Sequence, residues 1–203
     1  MKSPIETFHQ WSLNGRDEGM EEGHASSVDE MLNFILNNNK KPFSFIDAGC
    51  GNGWVVRKVL SNSSCQSAAG IDGATGMIDK ALRIDPKGNY ICADLISWKP
   101  DRPVDIVLSM EVFYYFSKPK NLVKHIFDHW LKPNGSLISG VDYYKENKPS
   151  LSWQKDCGIS TMTLLSSKEW ITVFKRSGFK NIKSWHYGKK DSWSGTLIVT
   201  GKK

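Results

Sequence analysis

A chain of 203 residues, 39% hydrophobic and 24% charged, can build one domain with a real core but not two full-sized ones. Its longest apolar run, Val112–Phe116, is too short to span a bilayer, and Met1–Glu6 lacks the apolar stretch of a secretory signal, so a soluble, cytoplasmic protein is expected. The net charge of +6 is spread over Lys40-Lys41, Lys189-Lys190 and Lys202-Lys203, which argues for solvated loops and ends and against a nucleic-acid partner.

Residues 1–27 are polar, and Gly15, Gly19 and Gly23 are expected to interrupt any long helix there. They read as a lid segment ahead of a single domain over residues 28–203. Val28, Met31, Leu32, Ile35 and Leu36 then recur at helical spacing, and Lys41-Pro42 stops that helix. Phe43–Ala48 reads as a buried strand, followed by a helix carrying Val55, Val56, Val59 and Leu60. Ala68–Asp72, Tyr90–Ala93 and Val104–Met110 are further strands, with a helix over Gly76–Arg83 between the first two. Ser117 and Pro119 open a helix whose apolar face is Leu122, Val123, Ile126, Phe127 and Trp130. A Pro133-Asn134-Gly135 turn leads into a strand over Ser136–Val141. Ser166 and Glu169 have the spacing of a capping box for a helix ending at Gly178. Asn181–His186 and Thr196–Gly201 supply two last strands. This alternation predicts an α/β fold with a doubly wound parallel sheet covered by helices on both faces, whose ligands bind beyond the carboxyl ends of the strands. Cysteines 50, 65, 92 and 157 lack metal-ligand spacing, so no metal is expected.

Asp47-Ala48-Gly49-Cys50-Gly51-Asn52-Gly53 follows the first strand and opens a helix, and its glycines let the backbone turn sharply and approach a ligand closely. In the dinucleotide fingerprint GxGxxG the third glycine would fall at Trp54, where an indole obstructs close helix–strand packing. Asp47 also suits a cationic group better than a pyrophosphate. The loop therefore points to a nucleoside ligand bearing positive charge rather than to NAD. Asp72 ends the second strand, where one carboxylate can accept both ribose hydroxyls, and Asp94 ends the third, where it can accept from an adenine amine. Either acid alone could equally be a turn former or a helix cap.

Residues 43–141 resemble the class I S-adenosylmethionine-dependent methyltransferases. Phe45–Gly53 looks like their first motif and Ile71–Met77 like the acidic second motif and its helix. Cys92-Ala93-Asp94-Leu95 is similar to the third, Asp105–Val112 to the fourth strand and the loop after it, and Leu131–Leu137 to the turn into the fifth strand. The resemblance implies S-adenosyl-L-methionine as cofactor and a seven-stranded, mostly parallel sheet whose last strand is antiparallel. It implies that Asp47, Ala48, Gly49 and Gly51 hold the methionine end. Asp72 and Gly73 would hold the ribose with Met77 beneath, Asp94 and Leu95 the adenine, and the backbone near Met110 the methionyl moiety.

Base-methylating members of that superfamily usually carry an Asn/Asp-Pro-Pro-aromatic tetrad after the fourth strand, and this chain has Ser109–Tyr115 there without a proline. Methyl transfer is an in-line displacement that needs alignment and exclusion of water, and a general base only if a proton must leave. The candidates for that base are His24, Tyr115 and, after the fifth strand, Asp142-Tyr143-Tyr144, of which Tyr143 is taken. The N-terminal segment, with Phe8, Trp11, Arg16, Met20 and His24, is expected to close over the cofactor. The reading is a methyltransferase for a small-molecule acceptor. Its alternatives are an RNA- or protein-directed methyltransferase and a non-catalytic S-adenosylmethionine-binding protein.

Overall fold

Strands β1 (Phe43–Ala48), β2 (Cys65–Asp72), β3 (Tyr90–Cys92), β4 (Val104–Met110), β5 (Leu131–Val141), β6 (Lys180–Tyr187) and β7 (Thr196–Lys202) form one sheet in the order β3-β2-β1-β4-β5-β7-β6. This computed structural model describes residues 1–37 and 41–203, so Lys40 of the Lys40-Lys41 pair lies outside the described residues. β1 pairs in parallel with β2 and β4, β2 with β3, and β4 with β5, while β7 runs antiparallel to both β5 and β6. This is the expected doubly wound sheet with its antiparallel last strand.

Successive strand residues point to opposite faces, and both faces are buried. Ile46, Val107, Leu137 and Val199 face one cluster with Leu122, Val123, Trp170 and Phe174. Those four come from α5 (Pro119–His125) and α7 (Ser167–Ser177). Phe45, Ile106, Ile138 and Ile198 face the other cluster, built from α2 (Arg16–Asn37), α3 (Trp54–Leu60) and α4 (Thr75–Ile84). Each such aliphatic side chain contributes about 1.5–3 kcal/mol on burial. Two further helices, α1 (Pro4–Asn14) and the short α6 (Trp153–Asp156), lie outside these layers.

The N-terminal segment departs from the expectation. Gly15 does end α1, at φ +75° with its N–H bonded to the Trp11 carbonyl. Gly19 and Gly23 do not interrupt α2, which runs unbroken from Arg16 through the 27/28 boundary to Asn37. Each glycine costs a helix about 1 kcal/mol relative to alanine, and anchors along α2 offset that cost. The Asn52 amide and Lys80 both donate to Asp17, Ser27 and Thr196 share a buried 2.7 Å hydrogen bond, and the Trp185 indole donates to Glu30.

Two smaller differences lie near β5. The Pro133-Asn134-Gly135 stretch is an irregularity inside the strand, with Asn134 at φ 65°, because Lys203 bonds the backbone of both Asn134 and Gly135. Pro119 opens α5, but the cap position falls on Lys118, not Ser117, and the second half of the predicted helix, Ile126–Trp130, is π-helical. The Ser166–Glu169 capping box and the left-handed Gly178 after α7 are as expected.

A methyl group at Gly19 or Gly23 would meet no atom within 4 Å. Gly19→Ala and Gly23→Ala should therefore each stabilise the protein by about 0.5–1 kcal/mol in urea unfolding. A loss of stability would show that α2 is not a continuous helix there.

Candidate active site

The three strand-end acids and the glycine loop gather beyond the carboxyl ends of β1, β2 and β3, and the loop is held in shape mainly by β2. The N–H groups of Gly49 and Cys50 donate to the Ile71 carbonyl at 2.7 and 3.1 Å. Gly49 itself, at φ 82°, could carry no side chain: an added Cβ would lie 2.2 Å from a Val112 methyl. Asp72 completes the tie. One carboxylate oxygen accepts from the Gly51 N–H at 2.9 Å and the other from the Ala74 N–H at 2.8 Å, at the mouth of α4. Burial raises the pKa of Asp72, and these two N–H donors oppose that rise.

Asp47 is only 2% exposed. Burial, and then the charge of Asp72, push its pKa up to about 8. Its carboxyl borders a cavity and takes no hydrogen bond from the described residues. A carboxyl left without a donor in such a place fits an ammonium group of a ligand, and it repels a pyrophosphate.

A cavity of about 210 Å³ is floored by Gly49, Gly51, Asp72, Gly73, Met77, Asp94, Leu95 and Met110, and Tyr115 closes one side. Its other wall comes from Ser3, Pro4, Ile5 and Phe8 of the N-terminal arm and from Met20 of α2. Phe8 packs edge-on against Tyr115 with ring centroids 5.0 Å apart. α1 is held down by close packing, since a Cβ on Gly76 of α4 would lie 2.3 Å from the Ser12 hydroxyl. A smaller cavity of about 70 Å³ shares Gly49, Gly51, Met77 and Met110 and runs on to Asp47, Asn52, Glu111 and His24.

Most of the residues singled out in the sequence therefore meet at one cleft. Four do not reach its wall. Ala48 is buried at the end of β1, where its carbonyl accepts the Ser109 hydroxyl at 2.8 Å. Tyr143 is buried with its ring 5.3 Å from that of Tyr114. Trp11 packs on Phe8 at 5.2 Å, and the exposed Arg16 lies 5.1 Å over the Trp11 ring. Asp94 lines the cavity and also accepts the Ile96 N–H at 3.1 Å, so it forms a turn as well.

Phe8 and Met20, read in the sequence as apolar residues of the closing segment, line the cavity, whereas Glu111 and Ile5 were not singled out. A glutamate inside the apolar run after β4 was the available signal for Glu111. Its side chain is 5% exposed, with the backbone at φ 59°. The Tyr114 hydroxyl donates to one of its oxygens at 2.7 Å, the Asp142 N–H donates to the other, and the Tyr115 hydroxyl lies 3.1 Å from that of Tyr114. His24 Nε2 stands 3.7 Å from Asp142 Oδ2. Burial, reinforced by the charge of Asp142, raises the pKa of Glu111, and burial also raises Asp142 and Tyr115. Burial lowers His24 against the pull of Asp142, so its imidazole favours the neutral form.

A family model described as a methyltransferase domain matches residues 20–184 of this chain. A malonyl-[acyl-carrier protein] O-methyltransferase of Halalkalibacterium halodurans is 28% identical over 145 residues, covering 64% of this chain and 53% of that protein. A trans-aconitate 2-methyltransferase of Klebsiella pneumoniae is 26% identical over 139 residues, covering 66% and 54%. The chain thus spans about half the length of these curated relatives. Among solved structures, a chain from the complex joining the Haloferax volcanii Trm112 methyltransferase activator to a methyltransferase superposes with a TM-score of 0.82 at 25% identity, covering 100% of this chain and 98% of that one. The N-methyltransferase NodS of Bradyrhizobium japonicum, solved with S-adenosyl-L-homocysteine, shares the fold with a TM-score of 0.68 at 14% identity, covering 88% and 86%. With the family match extending over most of the chain and the strand-end acids arranged around a cleft suited to a cationic nucleoside, the chain belongs to the methyltransferase-domain family, the class I S-adenosylmethionine-dependent methyltransferases.

Proposed function

We propose that the protein transfers the methyl group of S-adenosylmethionine to a small acceptor that enters beside Tyr115, Glu111 and His24. The observation that carries this reading is the partnerless Asp47 carboxyl in a cleft lined by strand-end acids. When bound, the cofactor supplies a sulfonium methyl open to in-line displacement. In this reading Asp47 takes the ammonium group of the methionine end. Asp72 keeps lone pairs free on both oxygens beyond its two backbone bonds, enough to accept two ribose hydroxyls. Met77 and Leu95 form apolar surface for the nucleoside, and Asp94 stands at its amine edge. Burial keeps the Tyr115 phenol protonated, so it shapes the acceptor's path and does not remove a proton. Ile5, Phe8 and Met20 exclude water on the side the glycine loop leaves open, which is the lid role proposed for the N-terminal segment.

The acceptor is small in this reading because the remaining wall is aromatic, with Phe8, Tyr115 and Phe116, and no Lys or Arg from the described residues lines either cavity. The likeness to a chain solved with the Trm112 activator favours a second reading, in which the protein works with a small activator protein on a larger acceptor. Gel filtration with such an activator separates the two: co-elution that raises turnover supports the second.

Deleting residues 1–15 should lower methyl transfer on the order of 100-fold, by loss of alignment and dryness, while leaving a cooperative unfolding transition. S-adenosylhomocysteine should slow amide exchange over residues 4–24 of the intact protein. Full activity of the truncated chain, measured with methyl-labelled cofactor and a metabolite extract, would reduce the arm to a dispensable packing element.

The electrostatics of Asp47 give a second expected outcome. Its folded pKa of about 8 lies above the ordinary 3.8, so the folded protein keeps a proton that the unfolded chain releases. Its contribution is therefore intact below about pH 4 and is lost as pH rises to about 8. Asp47→Asn should gain stability over the unmodified protein across that interval in urea unfolding. A constant difference between the two would contradict the burial of this acid.

A further inference from the structure

Three side chains far apart in sequence meet where the smaller cavity ends. His24 comes from α2, Glu111 from the turn after β4, and Asp142 from the residue after β5. One ligand atom from each lies within 4.8 Å of the other two. The site is built rather than incidental. Glu111 holds a left-handed backbone at φ 59°, a conformation that non-glycine residues seldom adopt, and both of its oxygens are fixed by Tyr114 and the Asp142 N–H. Asp142 is 5% exposed, and its Oδ1 is buried without any hydrogen-bond partner. A buried carboxylate oxygen without a partner costs free energy unless a proton or a cation meets it.

Two carboxylates share this pocket, and among the described residues no Lys or Arg forms an ion pair with either. The one basic group present is the His24 imidazole, 3.7 Å from Asp142 Oδ2. Ligand atoms around a metal bound at ~2.1 Å stand roughly 3–3.5 Å apart; the His24–Asp142 pair at 3.7 Å is near that range, and the cluster, within 4.8 Å, would close further around an ion.

We propose that His24, Glu111 and Asp142 form a divalent-cation site at the acceptor end of the cleft. One imidazole nitrogen and two carboxylates suit Mn²⁺, Fe²⁺ or Zn²⁺ better than a soft ion such as Cu⁺. Three protein ligands leave positions free, and His24 and Glu111 both border the cavity, so those positions open toward the cleft. There the ion would take an oxygen of the acceptor, supplying the positive charge that the cavity walls lack. That last step rests on the proposed methyl transfer, whereas binding of the ion does not. The cysteine pattern of the sequence could not reveal the site, because its ligands are brought together only by the fold.

The test is titration of the chelator-treated protein with Mn²⁺, followed by electron paramagnetic resonance of the free ion. One Mn²⁺ per chain is expected, and Glu111→Gln, Asp142→Asn and His24→Ala should each weaken it at least about tenfold. Asp128→Asn, at an exposed carboxylate paired with Lys124, should leave the affinity unchanged. S-adenosylhomocysteine calorimetry on the same variants reports whether the cleft is intact. Variants that keep cofactor binding and lose Mn²⁺ support the site, even if methyl transfer is never found. Absence of Mn²⁺ binding by a protein that binds S-adenosylhomocysteine, or equal loss in the Asp128→Asn control, would overturn it.

Discussion

The carboxylate of Asp72 holds together the two parts of the cleft that must stay in register. It receives the Gly51 N–H from the glycine loop and the Ala74 N–H at the start of α4, so loop, strand β2 and helix are fixed by one side chain. Hydrogen bonds to a charged acceptor contribute about 1.5–3 kcal/mol each, and replacing the carboxylate by a methyl would leave two N–H donors unmatched. Asp72 is thus a shape-giving residue in the free protein before it is a ligand-binding one. The same geometry brings its charge close enough to raise Asp47.

Grouping these acids at one end of a sheet is unfavourable in isolation, and the rest of the fold tolerates it because the burden is local. Both sheet faces are packed with large apolar side chains, including Trp130, Trp170 and Phe45, which are almost wholly buried. The acids lie at the strand ends, where backbone N–H groups and a cavity replace part of the lost hydration. What remains is a cleft whose carboxyl groups lack a counter-charge: Asp47 beside the glycine loop and, at the other end, Glu111 with Asp142 behind it. A cationic ligand at the first place and a metal ion at the second would each answer one of these, which is why the two proposals are separable.

The sheet, the glycine loop and the strand-end acids were legible in the sequence because they depend on local pattern. Continuous Val and Ile runs mark buried parallel strands, and a glycine-rich turn between strand and helix has few other uses. The N-terminal helix was misread because propensity at Gly19 and Gly23 was weighed without the anchors at Asp17, Ser27 and Glu30, whose partners lie far along the chain. The irregularity at Asn134 depends on Lys203, far along the chain, and could not be seen locally. Glu111 escaped attention for a related reason: its meaning lies in its proximity to Asp142 and His24, which the sequence offered only as separate candidates. Arg16, read as part of the closing segment, lies over the Trp11 ring at the surface.

The central claim is that the cleft between β1, β2 and β3 is made for a positively charged nucleoside. Isothermal titration of the unmodified protein with S-adenosylmethionine, S-adenosylhomocysteine and NAD tests it most directly. The account predicts one-to-one, micromolar binding of the first two and no heat from NAD. Binding of NAD without any signal from the other two would contradict it.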